Sequence, residues 1–266
     1  MIREHQSPLF SSCKSYSDNL PYVSGQGPVK LFTGDSKGSI SCLRLVEDRL
    51  VPWKTFKGGS EPVWALSYAH PGFLLSSTPN KIKLFDLSKV KNKTEEFSIT
   101  TNKRFFAHLE FLTNESFIVN SFSSRTMKNE FLMFDLLKEK ESSKIASKQG
   151  LSNYFKSVSK FEMLISANED RSVSLYDIRE KEQMQSFVAH STAVVSFDVN
   201  MDRHMLATTG CDSSIRMWDL RTLRCISELS VHRMKYDDSI FDVKFDPTAD
   251  FLCTAGADSS VKIFQF

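Results

Sequence analysis

Glycine and proline are scarce in this 266-residue chain, at 10 and 8 residues, which excludes a collagen-like or low-complexity polymer. Cysteine is sparse as well. Cys13, Cys42, Cys211, Cys225 and Cys253 are odd in number, lie far apart and form no CxxC pair, so they read as reduced thiols rather than a disulfide framework or thiolate metal site. The histidines, His5, His70, His108, His190, His204 and His232, are scattered, and neither a metal nor any other cofactor is expected. Charge of either sign is hardly in excess: 34 Lys+Arg against 32 Asp+Glu leave +2. That balance gives no electrostatic case for nucleic acid or an anionic membrane as the main partner. No apolar run approaches the roughly 20 residues of a membrane helix. The start, Met1-Ile-Arg-Glu-His-Gln, lacks the apolar stretch of a signal peptide. A cytoplasmic protein without membrane insertion is therefore expected. The GxGxxG, GxxxxGK, HExxH and GxSxG signatures are missing too, so no catalytic residue is nominated.

What remains is a chain with 41% apolar, 25% charged and 12% aromatic residues, enough to bury a sizeable core. It repeats. The clearest unit runs from Ala189-His190 through Ala193-Val-Val-Ser-Phe-Asp-Val, Met205-Leu-Ala-Thr-Thr-Gly-Cys-Asp212 and Ser214-Ile-Arg-Met-Trp218-Asp219-Leu to Cys225-Ile-Ser-Glu-Leu. These are four short alternating apolar runs bounded by Asp, Gly, Ser or Asn, the pattern of strands. The outline recurs around Tyr176 and Phe264, more weakly around Phe85 and Phe134, and most faintly at Ile40 to Leu45. The marker positions 43, 85, 134, 176, 218 and 264 are 42, 49, 42, 42 and 46 residues apart, the period of a propeller blade. An all-β fold follows: a β-propeller of four-stranded antiparallel blades with six recognisable repeats, either a six-bladed ring or an incomplete seven-bladed one. The propeller spans 28–266. Residues 1–27 are a poorly defined segment in which Ser7-Pro-Leu-Phe-Ser or Pro21-Tyr-Val-Ser is a possible closing strand for the last sheet. Two polar stretches, Ser88 to Lys103 and Lys138 to Gln149, read as solvated connections.

In the best unit a buried hydrogen-bond chain is expected from the Trp218 indole through Thr209 and His190 to Asp212, locking the turn between the second and third strands. Ser166 and Asp170 keep part of that set in one repeat, and Thr254 and Asp258, with His232, in another. The repeat with Phe85 has Pro79 at the Asp position, so its turn is held some other way. A Ser/Thr, His and Asp set resembles a hydrolase triad, but a nucleophile must be exposed beside an oxyanion hole, whereas this pattern recurs by repeat with an indole partner.

The repeats resemble the WD-repeat family, and the carboxy-terminal part is similar to the striatin WD-repeat domain. The residues that carry this likeness are Ala189-His190 through Ser213-Ser-Ile-Arg-Met-Trp-Asp-Leu, the stretch His232-Arg-Met-Lys-Tyr-Asp-Asp-Ser-Ile-Phe-Asp-Val, and Thr254-Ala-Gly-Ala-Asp258-Ser-Ser-Val-Lys-Ile-Phe264, with Glu61-Pro-Val-Trp upstream. The resemblance implies a non-catalytic scaffold for protein partners: protein phosphatase 2A subunits, Ste20-like kinases and a Mob-family adaptor. This chain departs from the pattern in having no heptad run for a coiled coil and no recognisable first blade of seven. Adaptor binding through the propeller therefore ranks ahead of phosphatase or calmodulin contact. Arg233, Lys235 and Tyr236, then Trp64 and Arg104, are the candidate partner-binding residues, on loops between blades. The alternatives are a WD-repeat adaptor of another complex and, well behind, a propeller enzyme with a site in its channel.

Overall fold

Strands of five to ten residues, each stopped by a polar turn, are what the alternating runs form in a computed structural model. The structure describes residues 9–14, 30–46, 49–57, 60–69, 72–87, 95–100, 104–123, 128–138, 140–148, 150–158, 161–230, 232, 240–246 and 250–265. Among these no helix is long and apolar enough to cross a membrane. The chain is all-β, with the fold of a six-bladed β-propeller whose sheets follow one another in sequence. It divides into two compact units, 1–144 and 145–266.

The first unit carries three sheets. The first comprises β1 (Leu9–Lys14), β2 (Lys30–Asp35), β3 (Ser39–Val46) and β4 (Arg49–Lys57). The second comprises β5 (Ala65–Ala69), β6 (Phe73–Ser77), β7 (Lys81–Asp86) and β8 (Glu95–Thr100). The third comprises β9 (Arg104–Thr113), β10 (Ser116–Ser123), β11 (Lys128–Asp135) and β12 (Lys140–Ala146). In the second unit the fourth sheet is β13 (Ser152–Val158), β14 (Met163–Asn168), β15 (Ser172–Asp177) and β16 (Glu182–Val188). The fifth is β17 (Val194–Asn200), β18 (Met205–Gly210), β19 (Ser214–Asp219) and β20 (Arg224–Ser230). The sixth has three strands among the described residues: β21 (Ile240–Phe245), β22 (Phe251–Gly256) and β23 (Val261–Gln265).

Two expectations are corrected here. Leu9–Lys14, which overlaps the first candidate closing strand, pairs with β2 in the first sheet and not with the last. The faint first repeat begins at β2, whose inner edge would otherwise be open, and an antiparallel strand laid along it satisfies that edge. The second candidate, Pro21-Tyr-Val-Ser, lies outside the described residues. The polar stretches read as connections each contain an outer strand, β8 and β12. An outer strand faces water on most sides and needs few apolar anchors: in β12 only Ile145 is buried. Polarity thus hides the strand from a reading that looks for apolar alternation.

Within each unit neighbouring sheets bury their facing sides. In the first, Phe32, Ile40, Cys42 and Phe56 pack with Val63, Leu66, Leu74 and Phe85, and Leu75, Ile82 and Leu84 pack with Phe106, Leu109, Phe117 and Phe134. In the second, Ile165, Val173 and Leu175 pack with Val194, Phe197, Leu206 and Trp218, and Ala207, Ile215 and Met217 with Ile240, Val243 and Leu252. The third-strand markers wedge the layers: the Phe134 ring stacks on Phe117 at 5.1 Å, Phe85 lies 5.6 Å from Phe56, and Trp218 lies 4.8 Å from Phe187. Each such ring, taken wholly out of water, contributes on the order of 1.5–3 kcal/mol.

Candidate functional site

The turn between the second and third strands has the same build in all three sheets of the second unit. Asp170, Asp212 and Asp258 each accept a bond at Oδ1 from the backbone N–H and the hydroxyl of the serine two residues on, Ser172, Ser214 and Ser260. The residue between them, Arg171, Ser213 or Ser259, has φ of 74°, 64° or 63°, the left-handed geometry a tight turn requires. In the first sheet Asp35 does the same work for the N–H groups of Lys37 and Ser39, with Gly38 at φ 76°.

In the fifth sheet the network continues inward. Just ahead of β17, Ala189 and His190 donate their backbone N–H groups to the carbonyl of Arg171. The imidazole of His190, 1% exposed, places Nδ1 3.0 Å from Asp212 Oδ1 and Nε2 2.8 Å from Thr208 Oγ1. The Trp218 indole N–H donates to the same hydroxyl at 2.9 Å. The network closes with Nδ1–H donated to the carboxylate and Nε2 accepting the Thr208 proton, an assignment made from the hydrogen-bond partners. Burial raises the Asp212 pKa, but bonds from His190, Ser214 and the Ser191 N–H outweigh it and hold the carboxyl far below the usual range.

The bridging hydroxyl is therefore Thr208, and the expected Thr209 is corrected. Leu206 pairs with Trp218 and Thr208 with Arg216, so those side chains share one face. Thr209 pairs with Ile215 on the other face and donates to the Ser196 carbonyl. Gly210 is required by the imidazole: a Cβ there would lie 2.7 Å from His190 Nδ1 and 2.9 Å from Asp212 Oδ1.

The sixth sheet repeats the set with His232 bonded to Asp258 at 2.9 Å and to Thr254 at 2.9 Å, and Gly256 under the ring. Phe264 replaces the indole, so the chain stops at Thr254. The fourth sheet solves the problem differently. Asn168 stands where Gly210 stands, and its side chain fills the imidazole's place, accepting from Ser166 and donating to Ser172 and Ser174. In the second sheet Glu61 holds the turn, accepting from Thr78 and Asn80. Sequence reasoning missed Thr208, Asn168 and Glu61. Aligning the repeats on Gly210 and Gly256 sets Thr208 opposite Thr254 and Ser166, which was the signal available.

Of the candidate partner-binding residues, Trp64 is on the described surface, 36% exposed beside Glu61, with its backbone N–H bonded to the Ser77 carbonyl. Arg104 begins β9, with its backbone paired to Ser123. Both belong to the strand ends that carry the second-to-third-strand turns. Arg233, Lys235 and Tyr236 lie outside the described residues. Among those described, no three His, Cys, Asp or Glu side chains gather as a metal would need.

Sheets of this period, with a Trp-Asp pair closing a third strand and a His-Thr-Asp lock behind it, define a WD-repeat β-propeller. The family model for "WD domain, G-beta repeat" matches residues 181–219 and 223–265. Over 278 residues, 99% of this chain and 34% of the relative, the chain is 30% identical to human striatin. It is 25% identical to the striatin homolog of Dictyostelium discoideum over 293 residues, with the same coverage. Against bovine striatin-3 it is 39% identical over 100 residues, 38% of this chain and 12% of that one. The chain is a β-propeller with WD repeats at residues 181–219 and 223–265 and is similar to the striatins, of whose length it spans about a third.

Proposed function

We propose that the chain is a non-catalytic scaffold for protein partners, with Trp64 and Arg104, on strand ends of the first unit, as docking residues and with Arg233, Lys235 and Tyr236, outside the described residues, as further candidates. The observation that carries this reading is the engagement of the triad-like groups among the described residues. Thr208 and Thr254 are at most 2% exposed, and both they and their histidines are committed to turn-locking bonds, which leaves no accessible nucleophile in the set. A half-exposed tryptophan on a rigid sheet end is the kind of anchor that interfaces use. By similarity to striatins, the partners are a Mob-family adaptor, Ste20-like kinases and protein phosphatase 2A subunits, met in the cytoplasm as part of a signalling assembly. The test is affinity capture of the tagged chain from native cells, followed by mass spectrometry. Recovery of a Mob-type adaptor with phosphatase and kinase subunits, reduced in Trp64→Ala and in Lys235→Glu/Tyr236→Ala, is the expected result. A set of partners that excludes all three classes, or one indifferent to both variants, would refute the respective part.

A further inference from the structure

The register of the sixth sheet fixes which of its side chains share a face, since residues paired across strands point the same way. Phe245, Leu252 and Phe264 form one such row, and with Val243 they pack on Ala207, Ile215 and Met217 of the fifth sheet. The opposite face holds two other rows. Asp242, Ala255 and Val261 are aligned across the three strands, and so are Lys244, Cys253 and Ile263. Phe251, paired with Gln265, extends this face by one step.

On that face the sixth sheet departs from every other. The counterparts of Val261 and Ile263 in the other five sheets, from Ile40 and Cys42 in the first to Ile215 and Met217 in the fifth, are all at most 7% exposed. Val261 is 72% exposed and Ile263 66%, and the Phe251 ring lies beside them at 38%. Solvation alone does not produce such a surface. Where β12 faces water it is polar, with Lys140, Glu141, Ser142 and Lys144 exposed. An apolar side chain kept at two successive positions of one face, next to an exposed ring, marks a surface built to be covered.

We propose that a second copy of the chain docks on this face, the two sixth sheets packed against each other about a two-fold axis. Charge favours a copy over other occupants. Lys244 Nζ lies 3.3 Å from Asp242 Oδ1, both side chains are about half-exposed, and the two charges in these rows cancel. A face without net charge offers little to an acidic or basic partner, or to an anionic membrane. Turned by a two-fold axis, the same pair meets itself in reverse order: Asp242 faces Lys244 of the second copy, and Lys244 faces Asp242 of the second copy. The apolar side chains of each face then cover those of the other. The whole chain carries only +2, so repulsion between copies is small. A single extended peptide would leave part of the patch bare, because Phe251 is on β22 while Val261 and Ile263 are on β23. The scaffold reading above is not needed for this proposal.

The test is sedimentation velocity of the full chain over a wide range of concentration, with maleimide labelling of Cys253 and Cys225 followed by mass spectrometry in the same samples. A reversible dimer is expected. Labelling of Cys253, in the row with Ile263, should slow as the dimer forms, while Cys225, exposed on β20, should label at a constant rate. Val261→Arg/Ile263→Arg changes side chains that already meet water, so at low concentration it should melt as the parent does. It should weaken the dimer about tenfold or more, because the interface would bury unpaired charge. Met184→Arg, at an exposed apolar residue of the fourth sheet, should dimerise as the parent does. A monomer at every concentration, a dimer equally tight in Val261→Arg/Ile263→Arg, equal weakening in Met184→Arg, or a dimer that leaves Cys253 labelling unchanged would overturn the proposal.

Discussion

At the scale of the residue, the His190 lock makes three separable demands. Thr208 serves two partners, the imidazole and the indole, whereas Thr209 serves one carbonyl. Thr208→Val strands two buried polar groups, at about 1–3 kcal/mol each, and should cost more than Thr209→Val in urea unfolding. The second demand is space: Gly210→Ala drives a methyl into the imidazole and should lose about 1–3 kcal/mol, while Gly150→Ala, with nothing within 4 Å, should lose none. The third demand is charge. Asp212 is held ionised in the folded chain, whereas in the unfolded chain its carboxyl titrates near a pH of about 3.9. A carboxyl depressed by folding adds stability that is fully present above the unfolded pKa and fades as pH falls below it. Thermal melts should therefore show the parent exceeding Asp212→Asn by most at neutral pH, with the gap closing below about pH 4.

At the scale of the element, one third-strand position is filled by Trp218, Tyr176 and Phe264, and each sheet adapts its polar chain to the ring it has. The indole reaches Thr208, the Tyr176 hydroxyl turns to Ser147, and Phe264 leaves Thr254 to the imidazole alone. Trp218→Phe should therefore be tolerated at about 1 kcal/mol, the worth of one hydrogen bond, whereas Trp218→Ala should cost about 3–5 kcal/mol by opening a cavity against Phe187 and Leu206. These elements also explain what could be read beforehand. Third strands were legible because their spacing is regular and, in the fourth and fifth sheets, most of their residues are buried, whereas β23 keeps the spacing alone. β8 and β12 were not, because solvent on an outer strand removes the apolar alternation. Thr208 was misread as Thr209 because both are threonines on one strand, and only the pairing of Leu206 with Trp218 decides which faces the ring.

At the scale of the molecule, the turn locks and the proposed docking residues lie in different parts. The locks sit inside the sheets and hold the turns; Trp64 projects from a turn-bearing end and supports little of the core. A scaffold built this way should allow the two properties to be changed one at a time. Gly210→Ala should lower the melting temperature by about 2–4 °C per kcal/mol lost for a chain of this size, yet well below that temperature it should capture the same partners with unchanged affinity. Trp64→Ala should do the reverse, leaving the melt within about 1 °C of the parent, because a surface residue away from the core seldom moves stability by more than about 0.5 kcal/mol. Its capture of partners should fall. Both properties falling together in Gly210→Ala at low temperature would mean that the lock shapes the docking surface directly. Neither falling in Trp64→Ala would move the docking surface elsewhere on the sheets.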